Sequence, residues 1–517
     1  MIVRCVLVVL VLCAMSPAQT VEQVRQSSEQ ATAAYMESIR NNPAELVAFL
    51  RAMPKGGDLH NHLTGAIYAE NYIRFGIERD FCINPRTFVA SKPPCTSVQV
   101  PLAKSSQDPV LYRNIVDNWS MRNWQSSGQS GADHFFDAFW KFDALTYDTF
   151  GEMFAEAQKR AAENSVSYLE LMVGTGTPEF MTLGSKTKWN DDFSEMRNRL
   201  LQSGMKEAVA RTIAEVYAAE AKRDKILHCT GREDEAPLTP CTVTVRYILH
   251  VLRGFSKEQV FAQLLGGFEL AKADPRFVSL DLVMPEHSLV PTRDFNLHMR
   301  MLDFFHKLYP KVRITMHAGE LAPGIVPPEG LRSHIRQTIE LGHAERIGHG
   351  ADIMHEDDPV GLMMLMADRN IMVEICLTSN DMILSLRGAA HPLRTYMKHG
   401  VPVALATDDE GVARSDITHE YLKGVQEQGL TYTELKTMAR TSLEHAFIDG
   451  ASFWQDAKEF VRIPQCTMMY PKGRGVSPVC ENFLAGNERA NLQLQLERML
   501  SSFEYSVRDR QKRRSKQ

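Results

Sequence analysis

Between residues 53 and 410, short runs rich in apolar residues alternate with longer stretches whose apolar residues recur every three or four positions. The runs are Asp58–Leu63, Tyr168–Val173, Val243–Leu252, Phe277–Val283, Arg313–Met316, Arg346–His349, Met372–Leu377 and Val401–Ala406. The stretches between them have helical spacing, as with Phe150, Met153, Phe154 and Ala157 on one face of a helix predicted over Asp148–Asn164. Further helices are predicted over about 192–225 and 256–273, Asn296–Leu308, Leu331–Leu341, Leu362–Asp368 and Pro392–Lys398. Strand and helix in alternation imply parallel pairing, because a parallel neighbour is reached only by a long crossover. Eight such units predict an α/β fold closed as a TIM (β/α)8 barrel, with functional residues at the C-terminal strand ends. The alternative, a doubly wound open sheet, would gather function at one switch point. Here chemistry-bearing residues close runs one, five, six and eight, which favours the barrel.

The flanks differ in character. Residues 21–50 keep helical spacing, with Val21, Val24 and Ala31 on one face. Residues from about 76 to 130 are loop-rich, with Pro93–Pro94 and a Ser/Gly-rich stretch, and read as an insertion too poor in apolar residues for its own core. Beyond Asp409 the chain is expected to be helical to about 450, including Thr433–Ile448. A loop bracketed by Cys466 and Cys480 follows, then an amphipathic helix from Glu488 to about Val507. The last ten residues carry six basic side chains and one acid, expected to form a solvated, frayed tail. The organisation expected is a leader over 1–18, a helical extension over 19–52, the barrel over 53–450 and a C-terminal loop and helix over 451–517.

Composition narrows the classes. A net charge of −5 and 44% hydrophobic residues in 517 allow a large core and give no electrostatic case for nucleic acid. Met1–Thr20 reads as a secretory leader, with Arg4 before the apolar run Cys5–Met15 and the small-x-small triplet Ser16-Pro17-Ala18 after it. That run is shorter than the roughly 20 apolar residues of a membrane span, and no other stretch is expected to cross a bilayer. Export to the periplasm or the medium is the expectation. Of nine cysteines, two lie in the leader. Six of the other seven form close pairs, Cys82/Cys95, Cys229/Cys241 and Cys466/Cys480, expected as disulfides in an oxidising compartment. Cys376 is expected to be a buried free thiol. A homo-oligomer is compatible with the pattern.

The strand ends suggest chemistry. In Gly57-Asp-Leu-His60-Asn-His62 the two histidines share one strand face, as a chelating pair at the barrel mouth would. Arg313-Ile-Thr-Met-His317-Ala-Gly-Glu320 adds a third imidazole and then a carboxyl. Pro402-Val-Ala-Leu-Ala-Thr-Asp408-Asp409 ends in two carboxylates. Three nitrogens and one oxygen suit zinc with a position left for water, whose pKa such an ion lowers to about 7. Glu320 can reach a substrate without binding metal, and a dry pocket that raised its pKa would make it a proton donor. His349, between two glycines, is placed to touch the water. Any one of these histidines alone is as readily a hydrogen-bonded core residue; their order along the barrel is what makes coincidence improbable. His134, His287, His343, His391, His399 and His419 are read as structural or surface residues.

Met53-Pro-Lys-Gly-Gly-Asp-Leu-His-Asn-His-Leu-Thr-Gly65, His317-Ala-Gly-Glu320, Arg346-Ile-Gly-His-Gly350 and Thr407-Asp-Asp409 resemble the adenosine/AMP deaminase family of metal-dependent hydrolases over about residues 53–450. The leader, the insertion with its cysteine pair and Met-Pro-Lys-Gly are most similar to the secreted, adenosine deaminase-related growth factor branch. The Cys-x-x-Cys motif of cytidine-deaminase-type enzymes is absent. The resemblance implies that His60, His62, His317 and Asp408 bind one zinc ion per chain. It implies that Glu320 protonates purine N1, that His349 and Asp408 orient and deprotonate the water attacking C6, and that Asp409 hydrogen-bonds N7. Adenosine, and 2′-deoxyadenosine with it, would yield an inosine-type product and ammonia. His62, Thr64 and Met284 would join Asp409 in contacting the substrate. Two positions depart from the family pattern. Thr64 stands where an aspartate near the ribose is common, and Met284 where the fourth strand usually ends in a glycine whose backbone contacts N3. The methionine side chain is expected to narrow the pocket. The alternatives are another amidohydrolase or aminopurine deaminase, or a secreted, non-catalytic binding or growth-factor-like protein. Against the last, every expected ligand and acid is present. Against a binuclear relative, Phe277–Met284 has no lysine to bridge two metals.

Overall fold

Eight parallel strands pair side by side in sequence order. They are β1 (Gly56–His62), β2 (Val166–Val173), β3 (Thr244–Leu252), β4 (Phe277–Val283), β5 (Arg313–Ala318), β6 (Arg346–His349), β7 (Met372–Ile375) and β8 (Val403–Leu405). The structure is a computed structural model describing residues 17–229, 238–467 and 476–514. The ring is closed by one parallel bridge, Asn61 to Asp408. In it Asp408 N–H donates to His60 O at 2.8 Å and His62 N–H donates to Asp408 O at 3.1 Å. The residues that close the barrel are thus neighbours of the candidate ligands. Every residue of β2 is buried, as expected where helices cover the outer face of a parallel sheet. Strand β1 is equally buried but largely polar, so its side chains must find partners inside the barrel.

The helical layer follows the predicted order, and it adds helices that the pattern did not single out, among them Thr177–Lys186 and Leu377–Leu384. The segment expected over 192–225 is two helices, Phe193–Gln202 and Met205–Leu227, with a break at Ser203-Gly204. A further helix over Gly131–Thr146 was not singled out by the sequence pattern; Ser130 caps it by accepting from Asp133 N–H at 3.0 Å. The C-terminal helix runs from Glu488 to Arg514, so most of the basic tail is helical and not frayed. We label α1 (Pro17–Ile39), α2 (Pro43–Ala52), α3 (Gly131–Thr146), α4 (Leu377–Leu384), α5 (Ile417–Gln428) and α6 (Glu488–Arg514).

Before α3 the chain forms a small antiparallel sheet of Cys82–Ile83, Ala90–Ser91 and Val100–Pro101, then a helix over Pro109–Asn118. Its apolar residues, among them Ile83, Leu102, Ile115 and Trp119, join the main core and form no core of their own. The three expected disulfides are formed and Cys376 is free and buried. The leader expected over residues 1–18 lies outside the described residues except for Pro17 and Ala18, which open α1. Among the described residues no helix is long and apolar enough to cross a membrane.

Candidate functional site

The ends of β1, β5 and β8 bring His60, His62, His317 and Asp408 together, each offering a ligand atom within 4.8 Å of the others. Asp408 Oδ1 lies 3.4 Å from His62 Nε2 and 3.7 Å from His60 Nε2, and the Nε2 atoms of His62 and His317 are 3.1 Å apart. Carboxylates behind the rings fix their tautomers. His60 Nδ1–H donates to Glu374 Oε2 at 2.7 Å, and His317 Nδ1–H donates to Asp281 Oδ2 at 2.8 Å. Both Nε2 atoms therefore face the common centre, and His60 Nε2 has no hydrogen-bond partner among the described residues.

The charge balance agrees with a cation there. Burial opposes a proton on His60, but Glu374 outweighs it and lifts the ring to about 9. Burial, then His317 and His60, holds His62 well below the usual histidine range. The centre thus favours one positive charge and three converging imidazole nitrogens, a donor set that fits a metal ion of the zinc kind. A second grouping, His60, His349, Cys376 and Asp408, also lies close. It fits less well, because burial and then Asp408 push the Cys376 thiol far up, and a neutral thiol is a poor ligand.

The backbone is shaped to hold these groups. An added Cβ at Gly348 would lie 2.8 Å from His60 Cε1, so glycine lets the ring rest on β6. Met284, His349 and Asp408, at the ends of β4, β6 and β8, have φ of 88°, 67° and 60°. Each such non-glycine conformation costs about 1–3 kcal/mol, and such residues cluster where a site needs them. Behind the histidines, buried Arg346 bridges Glu170 Oε2 at 2.5 Å and Glu374 Oε1 at 2.7 Å. Burial alone would raise Glu374; Arg346 and His60 bring it down to about 2.

Glu320 sits beside this centre and is 5% exposed. Burial first, then Asp408 and Glu286, push its carboxyl well above the usual range, which favours the protonated form. Glu286 clamps the turn that carries it, accepting from Gly319 N–H at 3.3 Å and Glu320 N–H at 3.0 Å. His334 and Arg253 overcome burial and keep Glu286 ionised, at about 2. His349 Nε2 lies 3.8 Å from Glu320 Oε1 and 3.9 Å from Asp408 Oδ2. Asp409 is also pushed well up, by burial and then by Asp408. Its Oδ1 has no partner among the described residues, and it rests where a Cβ on Gly65 would come within 1.6 Å.

A cavity of about 580 Å³ opens over these groups, a size that suits a small-molecule ligand. His62, Thr64, Met284, His317, Glu320, Asp408 and Asp409 line it, while His60 and His349, each 0% exposed, lie beneath. All nine residues singled out in the sequence therefore gather at one barrel mouth. Met284 lines the cavity, with its thioether leaning toward Gly254, where an added Cβ would meet Sδ at 2.9 Å. One wall is aromatic and comes from α3: Phe135, Phe136, Phe139, Trp140 and Phe142.

Sequence reasoning passed over Asp281, Glu374, Glu286, Asn380, Arg253 and His250. A signal existed for the first two. Each is a carboxylate inside an apolar strand run, and a buried carboxylate requires a partner. His250, half-buried and pushed down to about 4 mainly by desolvation, lines the cavity and carried no such signal.

Comparison with known proteins gives the following. The family model described as adenosine deaminase matches residues 130–453. An adenosine deaminase of Serratia proteamaculans is similar, 42% identical over 138 residues that cover 26% of this chain and 38% of that protein. The chain thus matches well under half the length of this curated relative. Among solved structures, adenine deaminase from Arthrobacter aurescens aligns with a TM-score of 0.50 at 18% identity, covering 77% of this chain and 94% of that one. An amidohydrolase from Burkholderia ambifaria with bound zinc aligns with a TM-score of 0.51 at 15% identity, covering 80% of this chain and 90% of that one. At such identities these structures speak for the barrel fold alone.

Proposed function

The chain belongs to the adenosine deaminase family, and from that membership and the geometry of the barrel mouth we propose that it hydrolyses adenosine, and 2′-deoxyadenosine, to the inosine-type product and ammonia. The observation that carries the proposal is the buried carboxyl of Glu320, pushed toward its protonated form, beside four converging candidate ligands. A simple metal hydrolase has no need of a neutral acid there; addition of water to an aromatic purine does, because charge builds on N1 as the ring loses aromaticity.

His60, His62, His317 and Asp408 would hold one zinc ion per chain, which would act as a Lewis acid and lower the pKa of a bound water. The residues supply the rest. Asp408 turns Oδ1 toward His60 and His62 and Oδ2 toward His349, so its second oxygen is free to take a proton from the water that adds at C6. His349 flanks the same position and orients that water. Glu320 gives its proton to N1. Asp409, pushed toward its neutral form, can donate to N7, a lone-pair acceptor, and Thr64 and Met284 border the remainder of the cavity. We further propose that the protein is exported; the leader-like first residues and three disulfides support this. A different aminopurine is the second reading, favoured by Met284 at a position whose φ of 88° suits glycine.

The test is ammonia release from a panel of aminopurine nucleosides, nucleotides and bases, with metal content measured in parallel. Glu320→Gln keeps the shape and removes the transferable proton. It is expected to lower kcat by roughly 10²–10⁴, the range of general acid–base catalysis, with KM changed much less and zinc retained. Near-normal adenosine turnover by this variant with metal in place would assign the acid's role elsewhere.

A further inference from the structure

Which ring nitrogen of His349 carries the proton decides what the residue can do, and hydrogen bonds behind the ring determine it. Leu393 N–H can only donate, and it donates to His391 Nδ1 at 3.1 Å. His391 Nδ1 therefore holds a lone pair, and in the neutral ring the proton is on Nε2. Burial keeps that ring neutral, pushing it down to about 4. His391 Nε2–H in turn donates to Asn380 Oδ1 at 3.1 Å. This orients the amide, so its NH2 faces the other way, 3.0 Å from His349 Nδ1. An amide NH2 has no lone pair to offer, so His349 Nδ1 accepts and the His349 proton is on Nε2. That Nε2 is buried without a partner among the described residues and lies between Glu320 and Asp408.

We propose that Asn380 and His391 are positioning residues that lock His349 as its Nε2–H tautomer, so that it serves the reaction as a hydrogen-bond donor and not as a proton acceptor. The role in the reaction rests on the function proposed above; the tautomer does not. Of the groups facing the position where water adds, Glu320 is the proposed proton donor to N1 and His349 has no lone pair to offer. Asp408 Oδ2 is then the group that takes the proton from water, while His349 Nε2–H donates to the oxygen. The same lock keeps His349 out of any metal coordination through Nε2, which selects His60, His62, His317 and Asp408 over the second grouping. A residue read from sequence as merely structural, His391, thus sets the chemistry of one that touches the reacting atoms.

The test is ¹⁵N spectroscopy of the metal-loaded protein labelled at histidine, with the His349 signals identified by their loss in His349→Gln. A hydrogen-bearing Nε2 and a lone-pair Nδ1 are expected. Asn380→Asp puts an acceptor of the same shape where the donor was. It should move the proton to Nδ1 and lower kcat roughly 10²–10³-fold, as loss of one donor to a developing oxyanion does, with KM little altered. His391→Leu leaves the amide free to turn over and should weaken the lock in the same direction. His391→Gln, whose carbonyl and NH2 can replace both ring nitrogens, should restore the tautomer and most of kcat. A residue that only filled space would not move the proton. A wild-type His349 protonated on Nδ1, or an Asn380→Asp protein unchanged in both tautomer and kcat, would overturn the proposal. Where a variant does not fold, the wild-type spectrum decides alone. A protein that shows the Nε2 proton yet releases no ammonia from any aminopurine would keep the lock and lose the deaminase reading.

Discussion

Asp281 lies within the apolar run Phe277-Val-Ser-Leu-Asp-Leu-Val and is 0% exposed. Its two oxygens accept from His317, one from the ring Nδ1–H at 2.8 Å and one from the backbone N–H at 2.9 Å. An asparagine there could accept only one of these bonds and would turn an NH2 on the other donor. Asp281→Asn is therefore expected to weaken metal affinity about 10–100-fold, the usual effect of losing a partner behind a ligand. Competition with a chelator measures this, with circular dichroism to show that the fold is kept. Affinity equal to wild type would mean that Asp281 supports the strand and not the ligand. The candidate ligands and acids stood out in the sequence because they sit on strand ends in fixed order. Which carboxylate supports which ring did not, because Asp281 and Glu374 come from strands other than those of the rings they hold, and only the closed barrel brings them together.

At the scale of elements, α5 is tied to the turn entering α4 by one buried carboxyl. Glu420 Oε2 accepts from Thr378 N–H at 3.1 Å, and Ser415 Oγ–H donates to Oε1 at 3.2 Å. Burial lifts this carboxyl to about 8, against which those bonds and Lys423 work only in part. The folded pKa is thus above that of an unfolded glutamate. Stability from this group is full below about pH 4.5 and is lost as pH rises through 8. The loss is at most about 1.4 kcal/mol per pH unit. Glu420→Gln should match wild type in urea unfolding near pH 4.5 and exceed it increasingly by pH 8; parallel pH profiles would show that the carboxyl is ionised in the fold. The element α4 also carries Asn380, so this tie holds the lock on His349 from outside the site. The eight strands and most helices were legible because their apolar spacing is regular. Helix α3 was not, because Phe135, Phe136, Phe139, Trp140 and Phe142 leave no clean polar face. All five line the cavity, but only Phe135 and Phe142 are also buried in the core, so the apolar residues spread beyond one helical face.

The whole barrel closes at its weakest seam. Strands β2 and β3 pair through six residues, whereas β1 meets the end of β8 at the single bridge from Asn61 to Asp408. One half of that bridge, Asp408, holds a φ of 60° that costs energy in the free chain. The proposed ligands lie on both sides of this seam, His60 and His62 on β1 and Asp408 beyond β8, with His317 facing them from β5. A metal bound to all four would join the first strand to the last where the backbone ladder is a single bridge, supported by side-chain hydrogen bonds of Thr407 with Asp58 and Asn61. Ligand held at a thousand times its Kd adds about 4 kcal/mol to stability by mass action. Removing the metal with a chelator should therefore lower Tm, and readdition of zinc should restore it. The loss should also be local. The amides of His62 and Asp408, which donate the two seam hydrogen bonds, are expected to lose exchange protection before those of β2 and β3. Protection that falls evenly around the ring would mean that the metal stabilises the fold as a whole and does not fasten its seam. A Tm and seam unchanged by complete metal removal would show instead that the closing bridge stands without it.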